Sequence, residues 1–241
     1  MTEIAVCPIC GQHVTAPAGK IPMSCPACRS NIKRSARLYV NEDGVLVRYD
    51  GHERYLVIPE AVRTVGENVF FCHTELEGVS LPSGLHEIGR SAFGKCGLRE
   101  VTLPDRLASL GAYAFAGCSQ LAAVTFSRKL TVIPDRAFEG CSQLAAADLS
   151  AVTAIGADAF AHCTSLCEVT LSRELAEIGC RAFFLCRSLP SITLPKRVKT
   201  VGANAFSQCG ALQISCEATA APSGWDPTFH GGCPVTFGYR G

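Results

Sequence analysis

The sequence predicts a repeat solenoid preceded by a small metal-binding module. Phenylalanine returns at a nearly constant interval, in steps of 22 or 23 residues, and a fixed period in this range is typical of stacked repeat units. The periodic positions are Phe70, Phe93, Phe115, Phe138, Phe160, Phe183 and Phe206. Two Cys-x-x-Cys pairs lie near the N-terminus, outside the periodic region. These two observations define the architecture that we expect.

Composition limits the classes of protein that the chain can belong to. Its 241 residues are 48% hydrophobic and 18% charged, which is enough apolar material for an extended core and excludes a disordered chain. The net charge of +1 gives no overall field that would attract nucleic acid or an anionic membrane. The sequence has no apolar run long enough to span a bilayer and no recognisable export signal, so we expect a cytoplasmic protein.

Each repeat unit follows the template (I/V)GxxAFxxCxxLxxVxLP. Its last third, as in "LREVTLP", alternates apolar and polar residues and predicts a short strand with one buried face. The glycine suits a tight corner of the backbone. The "AF" pair begins a segment that we expect to be helical or irregular, with its phenylalanine pointing inward. One unit cannot bury that ring alone, so the units must stack.

The repeated phrase "IGxxAFxxCxxLxxVxLP" resembles the bacterial leucine-rich repeats of BspA-like surface antigens. The similarity covers roughly residues 45–241. It implies a right-handed solenoid with a parallel β-sheet on its concave face, used to bind other macromolecules. Many members of this family act at the cell surface. The resemblance therefore keeps open an alternative role as an adhesin-like protein that is exported by an unrecognised route.

Two domains follow from these patterns. Residues 1–37 are predicted to form a zinc ribbon with a basic linker, and residues 38–241 are predicted to form the solenoid. The closing stretch, about 217–241, is predicted to be a C-terminal cap in which Trp225 and Phe229 cover the open apolar face of the last coil.

The N-terminal cysteines have the spacing of a four-cysteine metal site. Cys7 and Cys10 form one pair, Cys25 and Cys28 form the second, and fourteen residues separate the pairs. Four thiolates close a tetrahedral shell around zinc at about 2.3 Å and leave no position for a catalytic water. We therefore predict one structural zinc ion. Iron in a rubredoxin-like site, or two unrelated cysteine pairs, remain alternatives.

Basic residues follow the second cysteine pair and raise the possibility of nucleic-acid binding. Residues 1–37 carry five Lys and Arg residues and one acidic residue, so their net charge is +4 and that of residues 38–241 is −3. The candidate phosphate contacts are Arg29, Lys33, Arg34 and Arg37. A solvated linker accounts for the same charges. Nucleic-acid or ribonucleoprotein binding is therefore an alternative function.

A second set of cysteines recurs within the repeats. Its members are Cys96, Cys118, Cys141, Cys163, Cys186 and Cys209, with His73 in the equivalent place one unit earlier. Cysteine packs as a small apolar residue, so a packing role is expected for this column. Unpaired thiols in such number favour a reducing compartment over a disulfide scaffold.

The predicted strands also define a column of outward-facing residues. These are Ser80, Thr102, Thr125, Asp148, Thr170, Thr193 and Ser215. They would line the concave face and form a candidate partner-binding surface, although threonine also suits exposed strand positions for purely structural reasons. The loops between the units, with basic residues such as Arg90 and Arg106, form a second candidate surface.

The sequence contains no recognisable catalytic motif. We therefore predict a non-catalytic binding or scaffold protein that contacts an unidentified protein partner through its repeats.

Overall fold

A computed structural model describes residues 1–7, 12–29 and 36–240 of the chain. The described residues form 21 β-strands and no α-helix. The four N-terminal strands are β1 (Thr2–Val6), β2 (His13–Pro17), β3 (Arg37–Val40) and β4 (Val45–Asp50). The remaining strands belong to stacked coils, which confirms the predicted solenoid.

Each coil contributes one longer and one shorter strand. The longer strands have three or four residues and coincide with the apolar–polar alternation of the template. They are β5 (Tyr55–Val57), β7 (Gly78–Ser80), β9 (Glu100–Thr102), β11 (Ala123–Thr125), β13 (Ala146–Leu149), β15 (Glu168–Leu171), β17 (Ser191–Leu194), β19 (Gln213–Cys216) and β21 (Val235–Phe237). We call this series the long-strand ladder.

The shorter strands have two residues each, and all but two of them end just before the corner glycine; Pro134 follows β12 and Asp226 follows β20. They are β6 (Thr64–Val65), β8 (Glu87–Ile88), β10 (Ser109–Leu110), β12 (Val132–Ile133), β14 (Ala154–Ile155), β16 (Glu177–Ile178), β18 (Thr200–Val201) and β20 (Gly224–Trp225). Within both series, neighbouring strands pair in parallel with equivalent residues side by side, except between β10 and β12, between β11 and β13, and between β15 and β17, where the strand pairing is interrupted.

The phenylalanine column forms the centre of the solenoid. All seven rings are fully buried. Neighbouring rings are stacked, with centroids 4.9–5.4 Å apart and planes inclined by only 3–8°. Leucine, isoleucine and valine from the two strand series surround the column. The core is therefore one continuous apolar rod, as the repeat pattern predicted.

The segment around each phenylalanine is irregular rather than helical. The residue two places before the ring and the residue two places after it both adopt left-handed backbone conformations, with φ between 51° and 73°. Between these two positions, the amide of one coil bonds to the next coil, as in Phe70 N to Ala92 O and Phe93 N to Ala114 O, both at 2.8 Å. Most coils are thus hydrogen-bonded to their neighbours along three sides.

The N-terminal strands extend the short-strand side of the solenoid. In the seven-stranded sheet β10-β8-β6-β4-β3-β1-β2, β4 pairs in parallel with β6, whereas β3, β1 and β2 add antiparallel strands. Ile4 and Leu38 belong to the solenoid core, and Glu3 is buried in an ion pair with Arg37 at 3.0 Å. This part of the chain therefore covers the first coil.

The C-terminal end is closed by aromatic side chains. Trp225 and Phe229 are both buried, with ring centroids 5.0 Å apart, and the indole Nε1 of Trp225 donates to the carbonyl of Val198 at 3.2 Å. The amide of Phe206 donates to the carbonyl of Phe229 at 2.9 Å. These contacts cover the last ring of the phenylalanine column.

Removing a ring from the middle of the column should be costly. We expect Phe138→Ala to lower the free energy of unfolding by about 3–5 kcal/mol, because it leaves a cavity between two stacked rings. The measurement is urea unfolding followed by circular dichroism. The matched control is Phe184→Ala, at a half-buried position where other coils carry Ala116 or Ala161, and it should cost less than about 1 kcal/mol. Equal losses would contradict a central role for the column.

Candidate binding face and cysteine cluster

The predicted partner-binding residues lie on the outer side of the long-strand ladder. Six of the seven side chains are exposed: Ser80, Thr102, Thr125, Asp148, Thr170 and Thr193; the seventh, Ser215, is half-buried. The residues that flank them along each strand are buried or half-buried and face the core. The ladder thus presents a continuous row of small polar groups to solvent, and we call this surface the outward face.

Two exposed residues on this face, Tyr55 and Val57, were missed by the sequence analysis. Tyr55 and Val57 are 69% and 53% exposed, and the pairing of β5 with β7 places them beside Gly78 and Ser80. A Cβ added at Gly78 would lie 2.8 Å from Cδ1 of the Tyr55 ring, so the ring lies over the glycine. The stretch "YLVIP" matches "GVSLP" one unit later and "EVTLP" two units later, and this alignment could have identified both residues.

A groove of about 1440 Å³ crosses β5, β7 and β9 on the outward face. One rim carries an ion-pair network in which Glu77 lies between Arg54, at 2.8 Å, and Arg99, at 3.2 Å. On the other rim, the carboxylate of Glu60 accepts a hydrogen bond from the hydroxyl of Ser83 at 3.1 Å. The floor thus consists of small side chains, with Tyr55 and Val57 at one end and charged residues along both sides.

Three of the four predicted metal ligands converge in the structure. The Sγ atoms of Cys7, Cys25 and Cys28 lie within 4.8 Å of one another, and those of Cys7 and Cys28 are 3.5 Å apart. Thiolates about 2.3 Å from a tetrahedral ion lie about 3.8 Å from one another, so the three donors fit zinc. Cys7 and Cys25 are buried and Cys28 is exposed. Cys10, the fourth predicted ligand, lies outside the described residues.

The candidate phosphate contacts do not form a common surface among the described residues. Arg37 is largely buried and engaged with Glu3, whereas Arg29 is exposed. Lys33 and Arg34 lie outside the described residues. The ion pair of Arg37 withdraws one of the four cations from contact with a phosphate.

The repeat cysteines have a defined structural role. Each thiol of the column donates a hydrogen bond to the carbonyl of the phenylalanine in the preceding coil, from Cys96 Sγ to Phe70 O at 2.9 Å through Cys209 Sγ to Phe183 O at 3.0 Å. Cys233 continues this pattern to the carbonyl of Phe206 at 3.4 Å. Burial raises the pKa of these thiols, to about 12 for Cys118, so they stay protonated and unreactive.

A family model described as the BspA-type leucine-rich repeat region matches residues 52–167 and 146–219, in six copies. Together these ranges cover more than half of the chain. No characterised protein matches the sequence. Among the described residues, the structure has no helix with the length and hydrophobicity that crossing a membrane requires.

Solved structures of leucine-rich repeat proteins have the same fold. One from Eubacterium ventriosum is 26% identical, with a TM-score of 0.65, over 80% of this chain and 52% of that one. A second, from Bacteroides ovatus, is 23% identical, with a TM-score of 0.60, over 76% and 55%. The T. pallidum leucine-rich repeat protein is 24% identical, with a TM-score of 0.53, over 83% and 94%. The chain thus spans about half the length of the first two proteins.

The buried thiols should make the solenoid sensitive to alkali. An unfolded cysteine ionises near pH 8.5, whereas Cys118 holds its proton to about pH 12 in the fold. Unfolding therefore releases protons between these values, and the free energy of unfolding should fall by about 1.4 kcal/mol per pH unit for each such thiol. Urea unfolding between pH 7 and 10.5 measures the slope.

The variant Cys118→Ala tests this origin of the pH dependence. Above pH 9 its free energy of unfolding should fall less steeply with pH, by about 1.4 kcal/mol per pH unit, whatever its stability at pH 7. The control is Leu121→Ala, which removes buried volume but no ionisable group, and its pH slope should equal that of the unmodified chain. An unchanged slope for Cys118→Ala would mean that another group causes the alkaline loss.

Proposed function

Because the chain belongs to the BspA-type leucine-rich repeat family, we propose that it is a non-catalytic protein that binds a protein partner through the outward face of its long-strand ladder. Repeats of this kind usually mediate protein–protein interaction or adhesion. The observation that supports the proposal most is the pair of exposed apolar side chains, Tyr55 and Val57, at one end of the groove.

The chemistry of the groove suits recognition of a protein surface. Tyrosine is enriched among the residues that dominate binding energy, because its ring is large and has few rotatable bonds. The serine and threonine column next to it offers hydrogen-bonding groups at the spacing of β-strands, about 4.8 Å. Arg54 and Arg99 are paired with Glu77, so the rims present balanced charge rather than one sign. A partner with a mixed polar and apolar surface fits these features.

We propose that Cys7, Cys10, Cys25 and Cys28 hold one structural zinc ion. The geometry of the three described thiols supports this, as does the separate small core that Cys7 and Cys25 form with Ala5 and Val14. Four sulfur ligands would leave zinc no open position, so the ion would supply structural stability rather than reactivity. In this role it would tie the segment between β2 and β3, which carries Cys25 and Cys28, to the end of β1 at Cys7.

A reducing compartment, which we propose to be the cytoplasm, suits this thiol content. The cluster of thiols at the N-terminus needs reduced cysteines to bind a metal. Exposed cysteines on the coils, among them Cys72, Cys167 and Cys180, also favour a reducing environment. Fractionation of cells that express the chain separates this placement from the surface role of an adhesin.

The partner-binding face is tested by substitutions that the repeat itself tolerates. Tyr55→Ala introduces the residue that Ala123 and Ala146 supply at the same position of later coils, so the fold should be unaffected. Once affinity capture has identified a partner, we expect Tyr55→Ala to weaken its binding at least tenfold in calorimetry, because truncating an aromatic anchor typically costs 2 kcal/mol or more. Gln213→Ala, at the far end of the face, is the control. Equal affinities for the three proteins would contradict the assignment.

The metal site is tested by elemental analysis of the purified chain. We expect one zinc per chain, and we expect Cys25→Ser to lose it while Cys167→Ser retains it. Zinc-depleted protein should unfold at a lower temperature than zinc-loaded protein, because the ion binds only the folded chain. Stoichiometric iron with visible absorbance, or no bound metal in the unmodified chain, would contradict the zinc assignment.

A further inference from the structure

A second depression lies on the side of the coils that carries the phenylalanine turns, away from the outward face. Its floor consists of small residues from three successive coils: Gly94, Ala116, Gly117 and Gly140. Its walls carry Phe71, Arg90, Lys95, Tyr113, Glu139 and His162. We call it the turn groove. Its volume is about 490 Å³, enough to receive one or two side chains of a partner.

The turn groove exists because these coils depart from their neighbours. At the position of Gly94 and Ala116, the two flanking coils carry large side chains, Phe71 before them and Glu139 after them. At the position of Gly117 and Gly140, other coils carry longer side chains: Cys72, Lys95, His162, Leu185 and Gln208. Small side chains at these positions in three consecutive coils thus lie between larger side chains, and the depression follows from their sequence.

Aromatic rings and cations line the turn groove together. The guanidinium of Arg90 lies 4.8 Å from the Tyr113 ring centre, and the ammonium of Lys95 lies 5.6 Å from that of Phe71. Phe71 is 41% exposed. Within the described ranges, neither Arg90 nor Lys95 forms an ion pair. Both cations are exposed and keep their N–H groups available to an acceptor.

Tyr113 is an unusual residue for its backbone conformation. Its φ is 61°, in the left-handed region that asparagine and glycine adopt more readily, and asparagine occupies the same position at Asn68 and Asn204. The tyrosine ring lies between Arg90 and Arg136, whose guanidinium carbon is 5.4 Å from the ring centre. The same left-handed backbone recurs in every coil, with Ser91, Arg136 and Arg181 among the residues that adopt it, so what distinguishes Tyr113 is its ring and not its φ.

From these features we propose that the turn groove binds an acidic, extended segment of a partner protein that inserts an aromatic or aliphatic side chain over Gly94 and Gly117. Carboxylates of the segment accept hydrogen bonds from Arg90 and Lys95, and the inserted side chain packs against Phe71 and Tyr113. This contact goes beyond the proposed function, because it uses a different side of the coils.

The charge pattern favours a peptide over a nucleic acid. A nucleic-acid surface needs a run of cations that follows successive phosphates. Here the two unpaired cations stand beside acidic residues: Glu139 on the groove wall, and Glu67 and Asp135 at the position of Arg90 in other coils. Arg136 is already engaged with Asp158 at 3.4 Å and Glu139 at 4.0 Å. Two cations beside an apolar depression match a short acidic stretch with one apolar residue.

The repeat supplies substitutions that remove each feature and keep the fold. Arg90→Ala matches Ala112 and Ala157, Lys95→Gly matches Gly117 and Gly140, and Tyr113→Asn matches Asn68 and Asn204. The last two also suit the left-handed backbone at their positions. Lys129→Ala is the control, because it removes one exposed positive charge elsewhere on the solenoid. Thermal unfolding of each variant verifies that the fold is intact.

The probe is the fluorescently labelled peptide acetyl-Glu-Glu-Phe-Glu-Glu-amide, titrated with the full chain and followed by anisotropy. We expect saturable binding that weakens with added salt. Arg90→Ala combined with Lys95→Gly should weaken it at least about fivefold, and Tyr113→Asn should also weaken it, whereas Lys129→Ala should not. Replacing the phenylalanine of the peptide by alanine should reduce affinity, and the lysine analogue acetyl-Lys-Lys-Phe-Lys-Lys-amide should not bind.

Three results would overturn the proposal. The first is no saturable binding of the acidic peptide by the folded full chain. The second is binding that all variants retain, which would mean a contact elsewhere. The third is tighter binding of a labelled single-stranded oligonucleotide than of the peptide, provided that the same variants abolish it. That result would assign the groove to nucleic acid. Tyr55→Ala should bind the peptide normally, so failure of the turn groove and failure of the outward face are distinguishable.

Discussion

The column of stacked phenylalanine rings is the constraint on which the other features of the structure depend. Rings 4.9–5.4 Å apart and nearly parallel require each coil to lie directly on the one before, with equivalent residues aligned. This alignment is also what allows the two strand series and the turns to form hydrogen bonds between coils at the normal strand spacing. Every surface position of the template therefore becomes a column, and function must reside in columns or in departures from them.

The same amino acid serves two different purposes because its surroundings differ. In the coils, cysteine is buried beside the phenylalanines, and its thiol donates to a phenylalanine carbonyl that already accepts one backbone hydrogen bond. Phe70 O, for example, accepts from His73 N of its own coil and from Cys96 Sγ of the next coil. At the N-terminus, Cys7 and Cys25 belong to a small core of their own, on the opposite side of β1 from the solenoid. Successive side chains of β1 point to opposite faces and so separate the two cores, since Ile4 faces the solenoid core and Ala5 faces the cysteine cluster.

The sequence predicts the solenoid well because its information is local and repeated. The inward phenylalanine and the outward threonine can be predicted from one unit, and comparison of the seven copies gives the period and supports both predictions. Tyr55 was missed because the first coil lacks a corner glycine followed by "AF" before it, so its strand was not aligned with the others. The pairing of β1 with β3 could not be predicted, because the two segments are far apart in the sequence and share no repeated pattern.

Departures from the repeat are the most informative positions for function in a chain of this kind. A residue that matches its column is explained by stacking, so it gives no evidence of a specific partner. Tyr55 stands where later coils have small or polar residues, and Tyr113 stands where asparagine would be less strained. Both are partly or largely exposed, so burial of their rings in the core does not explain them. Because neither is needed to build a coil, each is a position at which we propose contact with another molecule, and the two lie on different sides of the solenoid.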